Sequence, residues 1–210
     1  MIDLENNPDS YFTISTASQI EIRVKGSKFI GQAIACVNEE EAEKVLAGIR
    51  KKYYDATHHC FAYQIGHGKE RKFRYSDSGE PSGTAGKPIY DQIEGKRLTN
   101  LIIVVTRYFG GTKLGTGGLT HAYSQTAAEA INSAGIKEQF LVENISAIVQ
   151  YSDYNVIEKL IHKFKGKLIS RGMIDQIPAL TIQLRRSRIS EFKEAAIEAT
   201  SGRIRFVEHS

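Results

Sequence analysis

The feature that most constrains the fold is a glycine-rich segment between an apolar run and an alanine-rich run. The segment, residues 107–119, reads RYFGGTKLGTGGL and holds five glycines within nine residues. It follows residues 101–105, the most apolar run of the chain, and precedes a stretch whose small and apolar residues recur on one helical face. Glycine lets the backbone take positive φ or approach another group closely. The order predicts a buried strand, a glycine loop and the beginning of a helix.

A helix that begins behind such a loop is a predicted anion-binding site. The first N–H groups of a helix have no partner within the helix and carry partial positive charge. Arg107 precedes the loop and Lys113 lies within it. We therefore predict that Arg107, Lys113 and the loop backbone contact phosphate. The glycines included in this prediction are Gly110, Gly111, Gly115, Gly117 and Gly118.

Neither of two common nucleotide-binding loops fits the sequence. A Walker A loop requires G-x-x-x-x-G-K-[ST], but around Gly86-Lys87 prolines occupy the positions of the first glycine and of the hydroxyl. A dinucleotide loop requires G-x-G-x-x-G, and Thr120 stands at the last position after Gly115 and Gly117. The alternative that the glycines only allow tight turns stays open.

A second polar loop, residues 76–87, carries carboxylates, hydroxyl groups and a lysine. It has three glycines and no hydrophobic period, so it is not predicted to be a core element. Asp77 and Glu80 are candidates for acid–base chemistry or for holding Mg²⁺ through waters, and Lys87 is a candidate phosphate contact. The alternative is a surface loop whose hydroxyls bind its own backbone. Pro88 predicts the first position of the helix that follows.

The run from Arg71 to Tyr75 interleaves cations and aromatic rings. Guanidinium groups bind phosphate, and rings stack on unpaired bases. We therefore predict that Arg71, Arg74 and Tyr75 flank the phosphate site. The alternative is an edge strand whose charged face prevents pairing with another strand.

The His58-His59-Cys60 run, with Cys36 and His67, does not predict a metal site. On a strand, His58 and Cys60 face one way and His59 the other, and the spacing lacks the paired ligands of structural zinc sites. We expect a buried thiol and hydrogen-bonded imidazoles, and we predict no metal and no cofactor.

Two α+β domains are predicted from the remaining pattern, at residues 1–136 and 137–210. Residues 20–24 alternate as a half-buried strand does, and Asn38 with Glu41 forms a capping box for a helix. After residue 137 the order of predicted elements is β-α-β-β-α-β, the ferredoxin-like motif.

Composition is that of an ordinary globular protein, with 41% hydrophobic and 25% charged residues and a formal net charge of +4. That mild positive charge is compatible with RNA or an acidic protein as partner. No apolar run approaches the roughly 18 residues of a membrane span, so we expect no membrane partner. The two cysteines give no disulfide framework, which predicts a reducing, cytoplasmic location.

Four sequence motifs resemble the IMPACT/YigZ family: SKFIG at 27–31, DATHHC at 55–60, DSGEPSGTAG at 77–86, and VTRYFGG at 105–111 with its continuation to Leu119. The resemblance covers most of residues 18–135. It implies a first domain with the fold of the second domain of a small-subunit ribosomal protein, which is shared with domain IV of elongation factor G. It implies a ferredoxin-like second domain similar to domain V of that factor.

The resemblance also implies a link to translation. Eukaryotic members of the family regulate translation by interfering with activation of a stress kinase, and they carry a different N-terminal domain. Residues 1–17 are too short for that domain, so we do not expect the kinase role here. The first-domain fold is also used by small-molecule kinases in which a glycine loop opens a helix.

Three functions therefore remain as expectations. The first is a non-enzymatic, translation-associated regulatory protein that binds RNA or the ribosome through the glycine-rich basic loop, without DNA specificity. The second is an enzyme or sensor for a small phosphorylated ligand, with Asp77 and Glu80 as its acid–base groups. The third is a protein-interaction module without nucleic acid. Convergence of loops 76–87 and 107–119 on one cleft would favour a shared site.

Overall fold

A computed structural model describes residues 9–174 and 177–207. It confirms the predicted α+β class with two compact units. The first unit is Tyr11–Gln139, and the second holds Phe140 to the end of the described chain together with Asp9 and Ser10. In the described part of the chain, every helix is too short or too polar to span a bilayer.

The first unit contains a five-stranded antiparallel sheet with helices on both faces. Its elements are, in chain order, β1 (Ser10–Ile14), β2 (Ser18–Val24), β3 (Ser27–Ala35), α1 (Glu39–Lys52), β4 (His58–Ile65), β5 (Lys72–Ser76), α2 (Gly86–Gly95), β6 (Leu101–Tyr108), α3 (Gly115–Ala134) and β7 (Ile136–Phe140). The end residues Ser10 of β1 and Phe140 of β7 are counted with the second unit. The strand order in the sheet is β2-β3-β6-β4-β5, and β1 pairs with β7 in a separate ribbon.

Strand β6 lies at the centre of this sheet and explains the most apolar run of the sequence. Its residues Ile103 and Val105 pack in the core beneath α2 and α3, whereas Ile102 and Val104 pack in the core beneath α1. A strand buried on both faces needs apolar residues at every position rather than at alternate ones. Arg107 lies near the carboxyl end of β6, and the glycine loop follows it, so both lie at the end of the sheet where this central strand stops.

Helix α1 begins as predicted, and α2 begins earlier than predicted. The Asn38 side chain accepts a hydrogen bond from the Glu41 N–H at 2.8 Å, and the Glu41 carboxylate accepts one from the Val37 N–H at 2.9 Å. Helix α2 begins at Gly86, so Pro88 is its third residue rather than its first. The Asp77 carboxylate accepts hydrogen bonds from the backbone N–H groups at the start of α2. These bonds stabilise the helical turn that begins before Pro88.

The second unit has the predicted ferredoxin-like order. Its elements are β8 (Val142–Ile148), α4 (Tyr154–Lys163), β9 (Lys167–Ile174), β10 (Ile177–Arg185), α5 (Ile189–Ala199) and β11 (Arg205–Val207). The strands form an antiparallel sheet in the order β11-β8-β10-β9. Leu180, Ile182 and Leu184 of β10 alternate into a core that also contains Ile157 of α4 and Phe192 of α5.

Candidate functional site

The two polar loops of the first unit meet at a buried ion pair. The Arg107 Nη1 atom donates to Glu80 Oε1 at 2.6 Å, and these side chains are 5% and 3% exposed. The hydroxyl of Tyr123, on α3, donates to the same carboxylate oxygen at 2.8 Å. The Glu80 carboxylate of loop 76–87 therefore binds one residue of β6 and one residue of α3. These contacts hold loops 76–87 and 107–119 side by side.

The buried guanidinium of Arg107 has several further contacts. Its Nη2 atom donates to the Ser27 hydroxyl at 3.2 Å, and its central carbon lies 5.4 Å from the Phe29 ring centroid and 5.5 Å from that of Phe109. The Nε atom is buried without a hydrogen-bond partner among the described residues. Arg107 is thus an already paired charge at the base of the site, and its contact with phosphate stays a prediction.

The Asp77 carboxylate holds loop 76–87 in shape. One oxygen accepts hydrogen bonds from the N–H groups of Ala85 and Gly86 at 2.9 and 2.8 Å, and the other accepts one from Gly83 at 2.8 Å. These bonds supply N–H groups at the start of α2 with a partner that the helix itself cannot provide. Asp77 therefore has a structural role, while an acid–base role for Asp77 or Glu80 stays a prediction.

Three further residues join this site that the sequence did not identify as members of it. Besides Tyr123, the His58 Nε2 atom lies 3.9 Å from Glu80 Oε1, and the Cys60 thiol donates to the Asp77 carbonyl at 2.9 Å. Strand alternation predicts that His58 and Cys60 share a face, but it does not predict what that face meets. Burial raises the pKa of the Cys60 thiol to about 12, so it is not an activated nucleophile.

A cleft of about 350 Å³ opens beside the ion pair. Helix α3 begins at its wall, and the residue before the helix, Leu114, offers no side-chain hydrogen bond to the first helical N–H groups. Lys113 is exposed and forms no ion pair with the carboxylates that the structure describes. The residues lining the cleft are Glu80, Pro81, Arg107, Phe109, Lys113, Leu114, Gly115, Thr116 and Leu119.

The glycines of the loop have different structural reasons. A Cβ atom on Gly110 would lie 1.9 Å from the carbonyl carbon of Gly26, so Gly110 is required where the loop touches the β2–β3 turn. Gly111 and Gly115 have φ angles of +85° and +72°. A Cβ atom on Gly117 would meet no atom within 4 Å, and its φ is not in the left-handed region. Packing and backbone conformation therefore leave Gly117 unexplained.

Of the remaining predicted contacts, Tyr75 lies on a second surface, here called the aromatic stack and defined by Phe73, Tyr75 and Tyr90, whereas Arg74 lies on the opposite face of β5, toward α1. Phe73 and Tyr75 are 52% and 41% exposed on the edge strand β5, and their ring centroids lie 4.7 and 5.6 Å from that of Tyr90 on α2. Such exposed, stacked rings form a preorganised flat surface.

The three predicted cations of this region differ in their pairing. Arg74 pairs with Glu43 of α1 at 2.7 Å, and Lys87 pairs with Asp91. Arg71 is exposed and forms no ion pair within the described residues. The lining of the cleft includes none of Arg71, Arg74, Tyr75 and Lys87, so the structure does not bring them into the same site as Lys113.

Neither histidines nor cysteines form a metal-binding group in the parts of the chain that the structure covers. No cluster of three His, Cys, Asp or Glu side chains there could hold an ion. Cys36 and Cys60 are both free and buried.

Comparisons with known proteins place the chain in a family. The family model for the Impact N-terminal domain matches residues 25–131 of this chain. The IMPACT family member YvyE of Bacillus subtilis is 34% identical over 92% of this chain and 88% of that protein. The family member YigZ of Escherichia coli is 29% identical over 88% of this chain and 90% of that protein. A crystal structure of a hypothetical protein superposes with a TM-score of 0.68 at 27% identity, over 96% of this chain and 98% of that one. The chain belongs to the IMPACT family.

Proposed function

We propose that this protein is a translation-associated regulatory protein that binds RNA through the first unit, with the cleft as its phosphate-binding site. It acts by binding rather than by catalysis, and its location is the cytoplasm. Because the proposed role is in translation, we expect the RNA bound in the cleft to be RNA of the ribosome. The link to translation rests on membership of the IMPACT family, whose eukaryotic members regulate translation.

The observation that carries the proposal is the start of α3, which Leu114 does not cap, beside Lys113, which forms no ion pair within residues 9–174 and 177–207. The N–H groups of Gly115, Thr116 and Gly117 precede the first possible intrahelical partner and face no capping side chain from Leu114. A helix N-terminus attracts phosphate through these N–H groups and its partial positive charge. Lys113, exposed at the same wall, adds a full charge.

The floor of the cleft determines which part of a nucleic acid suits it. The charges of Arg107 and Glu80 offset each other, so Lys113 and the helix N-terminus supply the net positive potential. Such a site favours a singly charged backbone phosphate and reads no base. Arg107 then acts mainly by holding Phe109 and the loop in place.

The absence of internal contacts at Gly117 supports the same assignment. Glycine in a helix is less favourable than alanine by about 0.5–1 kcal/mol, and here no neighbouring atom needs the space. A ligand that approaches the backbone closely would need it.

The aromatic stack supplies a second contact for single-stranded RNA in this proposal. Phe73 and Tyr75 would stack on unpaired bases, which is worth about 1–3 kcal/mol per base in single-strand binders. Arg71 would contribute a phosphate contact. Arg74 and Lys87, already paired with Glu43 and Asp91, would contribute less.

Ribosome co-sedimentation at low salt tests the proposal, with wild-type protein and the Lys113→Gln variant. We expect wild-type protein to pellet with ribosomes and the variant to pellet less. Lys51→Gln, a change at an exposed lysine near the end of α1, is the matched control and should behave as wild type. Binding that survives nuclease treatment of the ribosomes would contradict RNA recognition and favour a protein partner instead.

A small phosphorylated ligand is the second candidate because of the shape of the cleft. Its volume of about 350 Å³ lies within the range of about 300–1,000 Å³ for small-molecule sites. A thermal-shift screen with nucleotides and phosphorylated metabolites separates the two functions, because a specific ligand stabilises only the folded state. A stabilising compound whose effect is lost in Lys113→Gln, together with no RNA binding, would favour this candidate.

A further inference from the structure

The second unit contains a small basic pocket whose residues are not used in the function proposed above. It has a volume of about 190 Å³, and its lining contains three cations and no carboxylate. We call it the basic pocket. Its residues are Phe140, Val142, Lys165, Lys167, Gln183, Leu184 and Arg185.

Strand register brings two of the cations to one face of the sheet. Lys167 of β9 lies directly opposite Gln183 of β10, and Arg185 lies opposite Val142 of β8. Residues two apart on a strand point to the same face, so Gln183 and Arg185 share a face with Lys167. The Gln183 side-chain amide is held by Asn144 at 3.2 Å, which fixes the polar group between the two cations.

The turn between α4 and β9 adds the third cation. Gly166 packs so closely on β10 that a Cβ atom there would lie 2.5 Å from a Leu184 methyl group and 2.9 Å from the Gln183 carbonyl oxygen. Lys165 precedes this glycine with a φ of +55°, at a position after a helix where glycine is the usual residue. Left-handed backbone is unfavourable for a residue with a Cβ atom. The cost is compatible with a role for the lysine side chain at this point.

Arg185 is held by an aromatic ring rather than by an acid. Its guanidinium carbon lies 3.4 Å from the centroid of the Phe140 ring. A cation over a ring face is attracted by the negative potential of that face. This contact holds the guanidinium against the ring without using its charge in an ion pair.

Four arginines of this unit are neutralised by acids, whereas the cations of the basic pocket are not. Lys165, Lys167 and Arg185 form no ion pair with any carboxylate in the described ranges 9–174 and 177–207. Four arginines do pair with acids: Arg171 with Glu158, Arg186 with Glu143, Arg188 with Glu191 and Arg203 with Asp153. Three like charges around one small cavity repel each other, and a bound anion relieves that repulsion.

We propose that the basic pocket binds a phosphate group with two or more negative charges, as in a phosphomonoester or a diphosphate. A phosphodiester carries one negative charge, which offsets only part of the charge of the three cations that line this cavity. A terminal phosphate offers three oxygen atoms to two ammonium groups and one guanidinium group, and charge-assisted hydrogen bonds to phosphate are the strong ones. This site is separate from the cleft of the first unit and does not depend on the function proposed for it.

Isothermal titration of the full-length protein with inorganic pyrophosphate, at low salt, tests the proposal. We expect wild-type protein to bind pyrophosphate, and Lys165→Gln and Arg185→Gln each to weaken binding by at least about tenfold. Lys163→Gln, a nearby lysine that does not line the pocket, is the matched control and should change the affinity by less than about twofold. Dimethyl phosphate, a monoanion, should bind much more weakly than pyrophosphate.

Several results would overturn the proposal. They are no pyrophosphate binding to wild-type protein at millimolar concentration, an equal loss of binding in Lys163→Gln, or equal affinities for pyrophosphate and dimethyl phosphate. Lys113→Gln separates the two sites, because it should leave pyrophosphate binding intact; loss in that variant alone would assign the binding to the cleft of the first unit. Arg185→Lys keeps the charge and should retain part of the affinity, and the thermal midpoint of each variant checks that it is folded.

Discussion

The carboxylate of Glu80 joins residues that lie far apart in the sequence. It accepts hydrogen bonds from Arg107 and Tyr123, which are 27 and 43 residues away. Removing one partner of a buried ion pair leaves an uncompensated charge, at a cost of about 3–5 kcal/mol. We therefore expect Glu80→Ala to lower the free energy of unfolding by that amount in urea denaturation.

The matched control for Glu80→Ala is Glu43→Ala. Glu43 also pairs with an arginine, but that pair is largely exposed, and exposed pairs contribute about 0–1 kcal/mol. Similar losses in the two variants would show that the Glu80–Arg107 pair does not hold the loops together.

The Cys60 thiol gives the first unit a sensitivity to alkaline pH. Burial raises its pKa from 9.0 to about 12. Because the folded value lies above the unfolded one, the contribution to stability is complete below pH 9 and is lost as the pH rises toward 12. At about pH 10.5 the loss from this thiol is on the order of 2 kcal/mol.

Urea denaturation at about pH 8 and pH 10.5 measures this effect. Wild-type protein should lose stability between the two pH values, and Cys60→Ala should lose less of it. An unchanged difference in the variant would mean that the thiol ionises equally well in the folded and unfolded states.

The sequence indicated which residue types lie in the two loops, but not how buried or how paired each side chain is. Lys113 lies exposed at the cleft, as its place in the glycine loop indicates. Arg107, by contrast, is buried and paired, because the position that ends a central strand falls beside a carboxylate from another loop. Local pattern gives the face of a strand on which His58 and Cys60 lie, but not the loop and helix that meet that face.

At the scale of elements, two glycines of the glycine loop have different roles: Gly110 is needed for packing, whereas Gly117 is proposed to be needed for binding. Gly110→Ala would place a methyl group 1.9 Å from the Gly26 carbonyl carbon, and the loop and the β2–β3 turn must move apart. Gly117→Ala meets open space in the first turn of α3. We expect Gly110→Ala to destabilise the protein by more than about 1 kcal/mol, whereas Gly117→Ala should stabilise it by up to about 1 kcal/mol.

RNA affinity completes the comparison between the two glycines. If backbone phosphate contacts the start of α3, Gly117→Ala should weaken RNA binding although it stabilises the fold. Fluorescence anisotropy with a single-stranded RNA, alongside urea denaturation, measures both quantities. A variant that is more stable but binds RNA with unchanged affinity would show that the start of α3 is not part of the binding site.

The aromatic stack on β5 and α2 makes a separate prediction. Tyr75→Ala removes an exposed ring that stacks on Tyr90 at 5.6 Å, and we expect single-stranded RNA to bind about 5- to 150-fold more weakly. Tyr54→Ala is the control, since that ring is 84% exposed and lies outside the stack. Equal affinities for wild-type protein and Tyr75→Ala would show that the run from Arg71 to Tyr75 does not bind RNA and is only an edge strand whose charges prevent pairing with another strand.

Element boundaries were predictable where local signals decide them. The capping box of Asn38 and Glu41 sets the start of α1, and both residues are adjacent in sequence to what they cap. The start of α2 depends instead on the Asp77 carboxylate, nine residues before Gly86. That contact exists only after loop 76–87 has folded back on itself, so a proline rule placed the start two residues late.

For the whole molecule, the sequence order alone predicted an α+β chain with two units and a ferredoxin-like arrangement in the second. Each unit buries its own apolar residues, so the alternation within strands and helices carries the necessary signal. The convergence of loops 76–87 and 107–119 could not be predicted, since it depends on which strands become neighbours: β6 pairs with β4 and with β3, and not with the strands next to it in the chain.

The central claim, that the cleft binds RNA phosphate, is tested most directly by the salt dependence of RNA affinity. For single-stranded RNA, the logarithm of the binding constant should fall linearly with the logarithm of salt concentration, with a slope of about −0.7 for each phosphate contacted. We expect Lys113→Gln to bind more weakly and to reduce the magnitude of that slope by about one contact, with Lys51→Gln unchanged from wild type. Parallel lines for wild-type protein and Lys113→Gln, or no RNA binding at low salt, would contradict the claim.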